Sequence, residues 1–307
     1  MVIHRPDFVV IGAMKSATTT LHEQLSLQPG IFMSRPKEPN FFSDDAAYAH
    51  GWGSYSSLFQ AAEPGQLRGE SSTHYTKLPT FPRTVERMAQ ALPKIKLIYL
   101  MRHPIDRLVS QYVHELTAGR IQLNLVRAIE QHPELIDYSR YAMQLEPFLA
   151  AYGFESVLPV FFPRLISDSQ RELERIGRFL SARGSMQWDW TLKPQNAGRD
   201  RLRPSPLRQA LLQIPVLRGV RRRVLPRKWS QSAKVFWRAQ IEPPQVPPDL
   251  TARLREVFDF DLNQLGAWLG MRLDCANFDT VTAGQPHFWA AGDVNGRSGQ
   301  PSLIGGV

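Results

Sequence analysis

The 307-residue sequence contains a single cysteine, Cys275. One thiol excludes an intrachain disulfide framework and any metal cluster built on several cysteines. No apolar run approaches the ~18 residues that a membrane-spanning helix needs. The apolar stretch 8–14 is followed by a lysine and has no small-residue cleavage site, which argues against a signal peptide. These absences predict a soluble protein of a reducing compartment.

Acidic residues are too few to balance the basic ones, and the net charge is +9. The excess lies in one segment, Lys193–Arg238, which holds 13 Lys or Arg and one acid, a local net charge of +12. Such a segment attracts anions: a phosphorylated cofactor, an acidic glycan, a membrane surface or nucleic acid. For its central part, Arg218–Lys228, a solvated helix face and a peripheral membrane or polyanion contact are equally good interpretations.

Short apolar runs alternate with helix-compatible segments along the chain. Phe8–Ile11 and Leu97–Met101 predict strands buried on both faces, and Val157–Phe162 predicts a third strand that Pro159 interrupts. This alternation predicts a three-layer α/β/α domain with a central parallel sheet over residues 1–275. Residues 276–307, rich in Gly, Ser, Pro and Asn, predict a loosely ordered tail.

The segment between the first strand and its helix predicts an anion site. Helix N-terminal N–H groups favour an anion, Lys15 adds a charge, and Thr18 and Thr19 add hydroxyl donors. The kinase pattern of Gly, four residues and Gly-Lys-Ser/Thr is absent. The alternative interpretation is a structural turn with an exposed lysine and no ligand.

A second anion site is indicated where the strand 97–101 ends. Arg102 follows that strand and Ser110 lies two turns along the next helix. Ligands of parallel sheets bind at the carboxyl ends of strands, and an arginine with a hydroxyl suits a phosphate. No Asp for magnesium follows the strand directly, which favours a nucleotide bound without a divalent metal. A surface arginine with a capping role is the alternative.

These segments resemble the sulfotransferases that use 3′-phosphoadenosine 5′-phosphosulfate (PAPS). Their fingerprint Lys-x-Gly-Thr-Thr/Ser-x-Leu corresponds to Lys-Ser-Ala-Thr-Thr-Thr-Leu at 15–21, with Ala17 in place of Gly. A positive φ would make that alanine costly, whereas a place in the first helical turn would make it harmless. The resemblance implies the P-loop NTPase-like sulfotransferase fold and a PAPS site made of Lys15, Ser16, Ala17, Thr18, Thr19, Thr20, Arg102, Ser110, Arg199 and Arg201.

Arg102 and Ser110 match the pair that holds the 3′-phosphate in this family. The segment Lys193–Arg203 resembles the family's loop that closes over the cofactor. Spacing does not decide which of Arg199, Arg201 and Arg203 binds.

The acceptor side resembles the carbohydrate branch, which includes heparan sulfate sulfotransferases and bacterial relatives. Its Lys-Glu-x-x-Phe-Phe block corresponds to residues 37–42 and implies Glu38 as general base, with Lys37 holding charge on the sulfuryl group. A carboxylate among cations stays ionised at neutral pH, although a surface salt bridge is the alternative. The block Gly-Glu-x-Thr/Ser-x-x-Tyr at 69–75 implies that Glu70 and Tyr75 shape the acceptor pocket. His74 is the rival base, because the small-molecule branch uses a histidine.

The leading hypothesis is therefore a metal-independent PAPS sulfotransferase that transfers a sulfuryl group in line to a carbohydrate or a glycosylated or hydroxylated metabolite. It involves no nucleic acid, and we expect a cytoplasmic, bacterial enzyme. A nucleotide kinase-like enzyme with a degenerate loop is one alternative. A polyanion- or membrane-binding protein that uses the basic segment is the other.

Overall fold

The computed structural model describes residues 4–192, 202–204, 238–240 and 243–290. Five strands form one sheet, and a separate antiparallel pair is formed by two short strands. The sheet strands are β1 (Phe8–Gly12), β2 (Ile31–Met33), β3 (Leu67–Ser71), β4 (Lys96–Met101) and β5 (Val157–Phe161), and the pair is β6 (Leu202–Pro204) and β7 (Arg238–Gln240).

Helices follow most of the strands in the described part of the chain. They are α1 (Thr18–Ser26), α2 (Asp45–Ala49), α3 (Gly51–Ser57), α4 (Thr84–Ala91), α5 (Pro104–Thr117), α6 (Leu125–Gln131), α7 (Glu134–Asp137), α8 (Tyr141–Tyr152), α9 (Phe162–Ser167), α10 (Ser169–Leu180), α11 (Pro248–Leu269) and α12 (Phe278–Gly284). Two 3-10 turns lie at Thr73–Thr76 and Phe154–Ser156. None of the described helices is both long and apolar enough to cross a membrane.

The strand order of the sheet is β2-β3-β1-β4-β5, and every pairing in it is parallel. In register, Phe8 of β1 lies between Gly69 of β3 and Lys96 of β4. Because all strands run the same way, the segments that leave β1, β3 and β4 emerge at one edge of the sheet. That edge carries the residues discussed below.

Alternating side chains of the central strands enter two separate hydrophobic clusters. Val9 and Ile11 of β1 pack on one face, whereas Phe8 and Val10 pack on the other. Strands buried on both faces are continuously apolar, which is why the runs were recognisable in the sequence. The two clusters confirm the predicted three-layer α/β/α architecture.

The proline in the third predicted strand is accommodated by the position of that strand. Pro159 lies in β5 opposite Tyr99 of β4, and β5 is an edge strand of the sheet. An edge strand has one side without ladder hydrogen bonds, so it tolerates the missing N–H of a proline.

The expectation of a loosely ordered tail from residue 276 is wrong for residues 276–290. Phe278 of α12 is fully buried, and the indole N–H of Trp289 donates to the Val157 carbonyl at 2.6 Å. The Arg164 guanidinium donates to the Gly284 carbonyl at 2.5 Å. Composition did not predict this order, because a few buried aromatic rings and arginine contacts anchor a segment whose average composition is polar. Residues 291–307 lie outside the described residues.

Candidate active site

The loop after β1 is built on residues with left-handed backbone conformations. Lys15 has φ 73°, and Ala17, the residue before α1, has φ 68° and ψ 21°. The Ala13 N–H donates to the Leu100 carbonyl of β4 at 2.8 Å, which fixes the loop against the sheet. Helix first-turn amides lack intrahelical partners, and the first turn of α1 contains no acidic residue. The loop is therefore suited to an anion.

The two interpretations of Ala17 are decided by this geometry. The position requires a positive φ, which a glycine adopts freely and an L-residue adopts at a cost of about 1–2 kcal/mol. The alanine is thus a strained departure from the fingerprint and not a harmless member of the first helical turn.

The loop forms one wall of a cleft of about 380 Å³, which we call the first cleft. The first cleft brings Lys15, Thr18 and Thr19 together with Lys37, Glu38 and His74. Its other lining residues are Met14, Asn40, Thr73, Lys77 and His114. Three loop residues of the predicted cofactor set, Ser16, Ala17 and Thr20, do not line it; Ser16 is fully buried.

The Glu38 carboxylate is held from two sides and remains accessible. The Thr73 backbone N–H donates to Glu38 Oε2 at 2.7 Å, and the Thr73 hydroxyl lies 3.2 Å from both carboxylate oxygens. Lys37 Nζ donates to Oε1 at 2.5 Å. The Glu38 side chain is still 29% exposed, so a molecule in the first cleft can reach it.

Glu70 and Tyr75 do not contact the first cleft, contrary to the expectation that they shape the acceptor pocket directly. Both are buried beneath it, and Glu70 Oε1 accepts hydrogen bonds from the Tyr55 and Tyr75 hydroxyls at 2.8 and 2.9 Å. Glu70 Oε2 accepts from Ser72 Oγ at 2.9 Å, and Ser72 Oγ accepts the Asn40 N–H at 3.0 Å. Burial raises the pKa of Glu70 to about 7. This network supports the loop that carries Glu38 from below.

The half-buried His74 side chain lines the first cleft. Its ring stacks on Phe81 with 4.9 Å between the ring centres. Burial, aided by the neighbouring Lys77 charge, lowers the pKa of His74 to about 4, so the imidazole is neutral at pH 7. The structure places this rival base beside the same cleft as Glu38.

Arg102 and Ser110 line a separate pocket of about 320 Å³, the flanking pocket, together with Val246. Tyr141 donates its hydroxyl hydrogen to the Arg102 carbonyl and fixes the backbone where β4 ends. Arg102 Nε is buried and has no hydrogen-bond partner among the described residues, although another guanidinium nitrogen donates to Asp106 Oδ2 at 3.3 Å. A buried guanidinium N–H without a partner fits an anionic ligand.

Several predicted residues lie outside the described part of the chain: Arg199, Arg201 and the segment Arg218–Lys228. Arg203 belongs to β6, for which only the strand is described. In the ranges that the structure does describe, no three His, Cys, Asp or Glu side chains are grouped to hold a metal ion.

Four polar residues of the first cleft were not predicted from the sequence: Asn40, Thr73, Lys77 and His114. Burial lowers the pKa of Lys77 to about 8. Asn40 and Thr73 fall at variable positions of the 37–42 and 69–75 blocks, and Lys77 and His114 belong to no recognised motif. They come from three separate segments that border one cleft, so no signal in the sequence marked them.

Three comparisons with known proteins bear on this site. Residues 52–183 match the model of the sulfotransferase family. Human heparan sulfate glucosamine 3-O-sulfotransferase 6 is 28% identical over 183 residues, which cover 57% of this chain and 52% of the relative. The membrane-associated sulfotransferase kil1 of Dictyostelium discoideum is 37% identical over 110 residues, 35% of this chain and 22% of the relative. The chain thus spans about half or less of the length of these relatives.

A solved sulfotransferase from Alicyclobacillus acidocaldarius superposes with a TM-score of 0.63 at 21% identity, over 88% of this chain and 98% of that one. This likeness shows the fold. The match to the family model includes Glu70, Arg102 and Ser110, whereas Lys15 and Glu38 precede it. Residues 52–183 thus match the family that the motifs indicated, and the relatives reported above carry the same family name.

Proposed function

We propose that this protein transfers a sulfuryl group from PAPS to a hydroxyl, or an amine, of a carbohydrate or a glycosylated or hydroxylated metabolite. One observation carries the proposal: a fixed, accessible carboxylate, Glu38, lines the same cleft as an anion-binding loop and two lysines, Lys15 and Lys37. The match of residues 52–183 to the sulfotransferase family model supports the reaction class. The match to the human relative covers about half of that protein at 28% identity, so the acceptor has to be inferred from the site itself.

The donor side fits PAPS in its chemistry. Lys15, Thr18 and Thr19 would hold the 5′-phosphate end at the start of α1, and Arg102 with Ser110 would hold the 3′-phosphate. When bound, PAPS supplies the sulfuryl group and leaves as adenosine 3′,5′-bisphosphate. Lysines and an arginine provide the neutralising charge, so we expect turnover without a divalent metal.

On the acceptor side, Glu38 takes the proton of the attacking hydroxyl. The Thr73 N–H and hydroxyl hold the carboxylate in one orientation, so little reorganisation is needed when the proton moves. Lys37 lies against the same carboxylate and places positive charge where the sulfuryl oxygens pass. A positioned base of this kind contributes about 10²–10⁴-fold to rate. His74 is the competing base, and His74→Gln should retain most turnover if Glu38 has this role.

Thermal unfolding with adenosine 3′,5′-bisphosphate, ATP or AMP, each with and without magnesium, tests the proposal. A ligand at a hundred times its dissociation constant stabilises a protein by about 2.7 kcal/mol, which shifts the melting temperature measurably. We expect selective, magnesium-independent stabilisation by the bisphosphate. A response to ATP with magnesium alone would refute the sulfotransferase proposal and favour a kinase-like enzyme.

A further inference from the structure

A second cleft, of about 240 Å³, adjoins the first and shares two lining residues with it, His74 and Lys77. No residue of the donor loop, 12–20, lines the second cleft. Its walls come from the segment after β3, from α5 and from the stretch between α5 and α8. A molecule with one end at Glu38 can therefore extend into the second cleft on the side away from the donor.

Flat aromatic surfaces form part of the second cleft. His74 and Phe81 stack with an interplanar angle of 15°, and Tyr138 lines the same space. Lys77 Nζ lies 5.7 Å from the centre of the Tyr138 ring. Such surfaces pack well against the apolar C–H face of a saturated ring.

Hydrogen-bond acceptors accompany these rings. Glu115 is paired with Arg120, and Glu134 Oε1 lies 3.1 Å from His132 Nδ1. An ionised carboxylate offers about four acceptor positions and no donor. With one such partner each, both carboxylates keep further oxygen lone pairs, and these lone pairs suit the hydroxyl groups of a ligand.

Charge in the second cleft is balanced, in contrast to the first cleft. Lys77 and Arg120 face Glu115 and Glu134, and burial keeps His74 neutral. A site for a polyanion needs an excess of positive charge, because potentials across an interface are complementary. The composition of the second cleft therefore selects an uncharged, hydroxyl-bearing ligand.

We propose that the second cleft binds an uncharged, hydroxyl-rich ring of the acceptor, a neutral sugar unit, next to the group that receives the sulfuryl at Glu38. The proposal rests on the proposed function and narrows its acceptor class. Lys77, at the junction of the two clefts, donates to an oxygen of the acceptor between the reacting unit and the unit in the second cleft.

Binding of simple sugars tests this inference without turnover. The probes are the methyl glycosides of glucose, galactose and mannose, with methyl glucuronide as the charged counterpart. Saturation-transfer NMR on the full chain measures their binding. Thr80→Trp fills the second cleft from an exposed position, and Thr280→Trp is the matched control on exposed α12 surface. Glu134→Gln removes the charge of one acceptor with little change in shape.

We expect at least one neutral glycoside to bind, with affinity reduced tenfold or more by Thr80→Trp, severalfold by Glu134→Gln and not at all by Thr280→Trp. Absence of binding by all three neutral glycosides, or tenfold tighter binding of the glucuronide, overturns the inference. So does unchanged affinity in both cleft variants. Thermal unfolding with the bisphosphate on the same samples separates the two proposals: sugar binding without nucleotide stabilisation would refute the cofactor and retain the second cleft as a sugar site.

Discussion

The donor side and the acceptor side of the first cleft are constructed in opposite ways. The donor loop is one short segment, residues 12–20, which contains two left-handed residues, Lys15 and Ala17, and is tied to β4 through the Ala13 N–H. The acceptor wall joins Glu38 to Thr73 from a separate segment and is supported from below by the buried Glu70. Donor geometry is therefore local and acceptor geometry is tertiary. Substitutions on the two sides should separate nucleotide binding from turnover.

Glu38→Gln is the most severe test of that separation. The amide keeps the shape of the side chain but does not accept the acceptor proton at neutral pH. We expect turnover to fall by about 10²–10⁴-fold while stabilisation by adenosine 3′,5′-bisphosphate is retained. Steady-state kinetics and thermal unfolding measure the two quantities.

The matched control is Glu63→Gln, an exposed glutamate remote from the lining of the first cleft. It should leave both quantities unchanged. Near-normal turnover in Glu38→Gln would remove Glu38 as the base and make His74 the next residue to test.

Glu70→Gln probes the support beneath the acceptor wall through pH. The pKa of Glu70 is raised from 4.5 to about 7, so between these values the folded state binds more protons than the unfolded state. Stability contributed through this group is therefore lost as pH rises, by roughly 2–3 kcal/mol between pH 5 and pH 8. The glutamine variant lacks this loss, and urea unfolding at the two pH values measures it.

Parallel pH dependences in the wild type and Glu70→Gln would contradict the assignment of a protonated carboxyl at the lower pH. Glu63→Gln again serves as the control, because an exposed carboxyl should leave the difference between pH 5 and pH 8 unaltered.

The donor side is tested by Arg102→Ala. Hydrogen bonds to charged groups contribute about 1.5–3 kcal/mol, so binding of adenosine 3′,5′-bisphosphate should weaken by about one to two orders of magnitude. AMP lacks the 3′-phosphate, and its binding should change little. Isothermal titration of both nucleotides makes the comparison, with the exposed Arg127→Ala as control. Equal losses for both nucleotides would place Arg102 elsewhere than at the 3′-phosphate.

The contrast between local and tertiary construction also explains what the sequence could predict. The strand runs, the loop at 15–21 and the pair Arg102 and Ser110 are properties of contiguous segments or of one strand-helix unit, so their patterns are visible directly. The fold class was predictable on that basis, whereas the expectation that Glu38 lies near Lys15 came from the family resemblance of residues 37–42.

Tertiary features were not predictable in the same way. Glu70 matched a family block, but only the packing of Tyr55 and Tyr75 around it reveals a buried support and not an acceptor contact. Lys77 lines both clefts together with residues of α5, and no spacing along the chain encodes that meeting. The burial of Phe278 was likewise not predictable, because the average composition of its segment is polar.

Ala17→Gly tests the backbone strain of the donor loop, and its expected effect is the smallest. At φ 68° a glycine removes left-handed strain of about 1–2 kcal/mol but increases the entropy of the unfolded chain, so we expect a net stabilisation of up to about 1 kcal/mol. Chemical denaturation measures the free energy of unfolding. Ala118→Gly is the matched control, because Ala118 has a right-handed φ of −80° and its replacement should give no stabilisation. Equal effects of the two substitutions would show that the left-handed conformation at Ala17 costs no measurable free energy, and would remove backbone strain from the description of the donor loop.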